Sequence, residues 1–61
     1  MAYELSADDV VVWIGVRYPV QADVDDAARR ANDRGWNGTQ LDLSRDGEWL
    51  EAIDPSEEVL R

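Results

Sequence analysis

The sequence predicts an all-α domain, a compact bundle of four to five short helices, on three observations. Helix-start signals recur at Ser6, Asp23, Ser44 and Asp54. Apolar residues follow those signals at helical spacing. No pair of alternating segments stands out as a hairpin.

Each element has its own signal. Ser6 and Asp9 form a capping box, Leu5 and Val10 flank it as a hydrophobic staple, and Val10, Trp13 and Ile14 share a face before Gly15, which gives a first helix over residues 6–14. The β-branched run Val10-Val11-Val12 suits a strand equally well and leaves a small α+β fold open. Pro19 holds residues 16–21 extended as a linker. Asp23 caps the second and clearest helix, Val24, Ala27, Ala28 and Ala31 form its buried stripe, and Gly35 ends it. Asp25 and Asp26 near its start and Arg29, Arg30 and Arg34 near its end complement the helix dipole, and Asp25–Arg29 and Asp26–Arg30 stand at i,i+4.

The stretch RGWNGTQLDLS then places Trp36 back onto Ala31 in a Schellman stop, turns at Asn37-Gly38 and enters a short third helix that buries Leu41 and Leu43. Ser44 caps a fourth helix carrying Trp49, Leu50 and Ile53, with Gly47 weakening its first turn. Asp54-Pro55-Ser56-Glu57 starts a last one, with proline at its first position.

Composition narrows the function. The 61 residues contain no cysteine and no histidine, so a thiolate or imidazole metal site, a disulfide and a neutral-pH histidine base are all excluded. Ser6, Ser44 and Ser56 read as caps rather than nucleophiles, and an enzyme, a cofactor or a bound metal is not expected. Asp23-Val24-Asp25-Asp26 lacks the glycine and the glutamate of a calcium loop. Fourteen acidic residues against six arginines give a net charge of -8, which repels nucleic acid and anionic membranes. No apolar run is long enough to span a bilayer and the N-terminus lacks a basic start, so the expectation is a cytoplasmic protein.

In this order the motifs resemble the SAM (sterile alpha motif) family. Val10-Val11-Val12-Trp13-Ile14 is similar to the pattern of that family's first helix, Asn37-Gly38-Thr39-Gln40-Leu41-Asp42-Leu43 to its middle, and Trp49-Leu50-Glu51-Ala52-Ile53 to its fourth helix. The match places one domain over residues 1–61. The resemblance implies a five-helix protein-interaction module without catalysis, associating head to tail. It assigns the mid-loop surface to Asp42, Asp46 and Glu48 and the end-helix surface to Asp54, Ser56 and Arg61, with Glu57 and Glu58 alongside. Both surfaces being acidic, self-association is expected to be weak and helped by salt, and a partner with a basic surface fits better. Two further readings stand beside it. One is a small helix-turn-helix nucleic-acid reader using Arg29, Arg30, Arg34 and Arg45, disfavoured by the carboxylates near its recognition helix. The other is an acidic inhibitor that mimics nucleic acid.

Overall fold

The structure, a computed structural model, describes residues 1–60. It is a four-stranded antiparallel sheet carrying one helix: β1 (Tyr3–Ala7), β2 (Val10–Gly15), α1 (Gln21–Asp33), β3 (Leu41–Arg45) and β4 (Glu48–Ile53), with the strands in the order β2-β1-β3-β4. This overturns both the all-α bundle and the SAM resemblance. The predicted first helix is the β1–β2 hairpin, the predicted third and fourth are the β3–β4 hairpin, and residues 54–60 contain only a turn where the last helix was expected. A helix-turn-helix needs two helices, and the described residues form one.

Two turns make the difference. Each hairpin closes through two residues whose φ angles are both positive, Asp8 (49°) and Asp9 (65°) in the first, Asp46 (52°) and Gly47 (85°) in the second. That is the requirement of a type I′ turn, whose twist matches that of the strands it joins, and aspartate and glycine are among the residues that tolerate it. The Ser6 to Asp9 signal read as a capping box is therefore the end of a strand and its turn. Valine in place of Gly47 would put a β-branched side chain in the left-handed region. An expected cost of about 1–2 kcal/mol should appear as a lower thermal midpoint, with Asp42→Asn, on an exposed strand position, as the unaffected control.

The helix lies where the sequence places its second one, with its start moved. Val20 occupies the N-cap, and Asp23, three residues into the helix, accepts the Val20 N–H at 3.1 Å and the Arg17 guanidinium at 2.7 Å. At the other end Gly35 (φ 91°) donates to Asn32 O and Trp36 donates to Ala31 O at 3.0 Å, the two bonds of a Schellman motif. Of the two anticipated ion pairs only Asp26–Arg30 forms, at 3.0 Å, because Asp25 turns to other partners.

Val24, Ala27, Ala28 and Ala31 face the sheet, where Leu5, Ala7, Val12, Leu41 and Leu43 receive them. Three alanines let the helix lie close to the strands, and the bulk of the core comes from the sheet side. Residues 54–60 run beside α1: Ser56 is held by Asp25, Asn32 donates to Val59 O at 2.9 Å, and Pro55 and Val59 are buried. One side of the sheet is thus covered by a helix and a tail. The other is bare.

Candidate functional site

Strand registers define what the bare side carries. In β1 and β3, Leu5, Ala7, Leu41 and Leu43 point to the helix, so Glu4, Ser6, Asp42 and Ser44 point away. Pairing extends this face into two rows across all four strands. One runs Ile14, Glu4, Ser44, Trp49, and the other Val11, Ser6, Asp42, Ala52. Each row is about 14 Å long at the usual strand spacing. Both place apolar residues on the outer strands and polar ones in the middle.

Exposure sets this face apart. Trp49 is 62% exposed, Ile14 64% and Val11 42%, whereas Trp36 is 8% exposed and Trp13 is half-buried against the core. The other two tryptophans each lie over a glycine two residues on: a Cβ at Gly15 would stand 2.3 Å from the Trp13 ring, and one at Gly38 2.5 Å from Trp36 Nε1. Trp49 is followed two residues later by Glu51, whose carboxylate accepts the Tyr18 hydroxyl on the helix side.

The face is also uniformly negative. Glu4 and Asp42 are its charged residues, on neighbouring central strands and one row apart, and among the described residues no arginine shares it. Arg17 and Arg30 are paired to Asp23 and Asp26, Arg45 lies on the helix side with its guanidinium 5.9 Å from the Tyr3 ring centre, and Arg29 and Arg34 belong to the helix and its cap. Neither carboxylate has an ion-pair partner among the described residues, so both are open to a cation arriving from outside. Among the described residues no three metal-binding side chains converge.

Of the described residues the sequence singled out as a docking surface, Asp42 alone lies on the strand positions of this face. Asp46 serves the fold: its Oδ1 accepts the Ala2 N–H at 2.9 Å and its own N–H donates to Ala2 O at 3.0 Å, tying the N-terminus to the second turn. Glu48 opens β4 opposite Arg45, on the helix side. Asp54 follows β4 and is exposed, and Ser56 donates its N–H and hydroxyl to Asp25 at 2.8 and 3.1 Å. Arg61 lies outside the described residues. Of the mid-loop residues of the SAM reading, Asp42 and Glu48 therefore lie on strands and Asp46 in the turn between them, and of its end-helix residues Asp54 and Ser56 lie outside any helix. Glu4, Ser6, Val11, Ile14, Ser44, Trp49 and Ala52 were missed. The signal that could have found them is the pair of two-residue turns, which fixes the register.

Elsewhere the carboxylates are structural. The Ser56 N–H, then Gln21 and the Ser56 hydroxyl, hold Asp25 below its ordinary value of 3.8, against a partly opposing desolvation. A lowered folded value means that this contact stabilises above the unfolded pKa and is lost as pH falls through the folded one. Acidification below about pH 4 should therefore loosen residues 54–60 from α1, with hydrogen exchange at Ser56 rising first. Asp25→Asn should remove that pH dependence. Tyr18, through its bond to Glu51, is held above the usual phenol range, and its ring meets Tyr3 edge-on at 5.8 Å.

No helix among the described residues is long and apolar enough to cross a membrane. No family model matches this chain, and neither a curated protein nor a solved structure is significantly similar to it.

Proposed function

We propose that this protein is a protein-interaction module whose docking surface is the bare face of the sheet, and whose partner presents a cationic group framed by apolar ones. The observation that carries this reading is the composition of the face. An exposed tryptophan, isoleucine and valine on the outer strands surround two unneutralised carboxylates on the inner ones.

The two kinds of residue have separate tasks. Burying Trp49 and Ile14 supplies the affinity, since large apolar side chains lose most by standing in water and tryptophan is enriched among residues that dominate binding energy. Glu4 and Asp42 supply selection and speed: a basic surface is steered in, and an acidic one meets like charge. The net charge of -8 adds to the steering, but the remaining carboxylates are spread over both turns, the helix, β4 and the tail. It is the face that gives the charge a place to act.

A leucine–lysine peptide whose every second residue is alternately lysine and leucine is a suitable probe, because as a strand it presents lysines framed by leucines on one side. Titrating it while following tryptophan emission should give saturable binding that weakens with salt. Trp49→Ala should weaken it roughly thirtyfold, as loss of about 2 kcal/mol implies. Combining Glu4→Gln with Asp42→Asn should abolish most of the salt dependence. Binding indifferent to all three changes would show that net charge alone attracts the probe.

A further inference from the structure

We infer that two copies of this chain pair edge to edge through β2, extending the sheet across a twofold axis. The two edges of the sheet are unlike. β4 carries Glu48 and Glu51 and leads into Asp54, so a second acidic chain is repelled there. β2 reads VVVWIG, six residues without a charge, bounded by Asp8 and Asp9 at one end and Arg17 at the other. Strands of that composition at an open edge are templates for further pairing unless something blocks them.

What stands beside β2 is a groove of about 560 Å³ between its edge and α1, lined by Val11, Val12 and Ile14 and, on the helix, by Arg30, Asp33 and Arg34. Arg30 Nη1 donates to the Val12 carbonyl at 3.3 Å, long for such a bond and so readily exchanged for a backbone N–H. A two-residue turn makes Ala7 and Val10 a hydrogen-bonded pair, so Val11, opposite Ser6, turns its own N–H and C=O outward. These are the groups a second strand would use.

Charge selects the occupant. On a molecule of charge -8, a second copy can approach only where its own charge is not predominantly negative. The groove carries both signs, and Arg34 has no ion pair among the described residues. A twofold axis places the same groove on both copies, so each presents Arg34 and Asp33, one of each sign, to the other. The contact is therefore self-complementary, unlike one through the bare face, where Glu4 and Asp42 would meet themselves.

Sedimentation equilibrium of the full chain tests this. The mass should rise reversibly with concentration from 6.9 kDa toward twice that value, and added salt should favour the dimer by screening the net charge. Val11→Pro removes an outward N–H and should leave a monomer. Because that variant can also lose its fold, Arg34→Asp and Asp33→Arg provide a second route: each alone should weaken the dimer about tenfold, and together they should restore it. Trp49→Ala should leave it intact. A chain that stays monomeric at all concentrations and salt levels, a dimer that the charge reversals do not touch, or one that Trp49→Ala dissolves would overturn the proposal.

Discussion

Replacing Leu43 with alanine is expected to remove a large share of the protein's stability, while replacing Trp49 with alanine changes it little. Leu43 is fully buried at the centre of the sheet, opposite Leu5 on one side and Glu51 on the other, with α1 above the same surface. Truncating such a leucine costs about 2–5 kcal/mol in transfer and cavity energy. A domain of this length has on the order of 3–9 kcal/mol in all. Trp49, larger but mostly in water, has little packing to lose. Denaturant midpoints of the two variants measure the contrast. Its direction separates the sheet from any helical arrangement in which Trp49 belongs to the core.

Trp36→Ala should be comparably severe, at about 3–5 kcal/mol. This residue seals the end of the helix through its N–H to Ala31 O, buries its ring in the core, and lies across Gly38. Its loss therefore removes both the helix stop and the cover over the entry to β3. Gly38→Ala should reproduce a milder version, because a Cβ there requires the indole to shift. Thermal unfolding followed in the near ultraviolet reads both, and equal midpoints for Trp36→Ala and Trp49→Ala would contradict the assignment of these two rings.

The helix was legible in the sequence because nothing interferes with its pattern. Its alanine and valine stripe has the right period, its charges follow the dipole, and the Schellman stop at Gly35 and Trp36 falls where local chemistry puts it. The sheet was not legible, for a specific physical reason. Both outer strands contain an irregularity in pairing, one near Val12 and one near Leu50, which leaves an extra residue on the strand. An extra residue destroys strict alternation. Val10 and Trp13 then share the helix side three residues apart, and so do Leu50 and Ile53, which is helical spacing. Ser6 and Asp9 completed the illusion by standing where a capping box would. The two inner strands do alternate, as Leu41-Asp42-Leu43 shows, but a five-residue segment is too short to prevail over its neighbours.

The candidate face shared that fate. Asp42 could be singled out because an acid between two leucines is exposed in any regular structure. Trp49 and Ile14 could not, because a large apolar residue is assigned to the core until the register shows which side it occupies. Asp46 and Ser56, which the SAM resemblance assigns to its two docking surfaces, are instead ties holding the N-terminus and the tail in place.

Backbone and indole resonances followed during titration with the leucine–lysine peptide would locate its contact residue by residue. The expected result is that shifts concentrate at Glu4, Ser6, Asp42 and Ser44 and at the Trp49 indole N–H, with α1 and residues 54–60 unmoved. Shifts gathered instead on the helix and the tail, with Trp49 unchanged, would contradict docking on the bare face of the sheet.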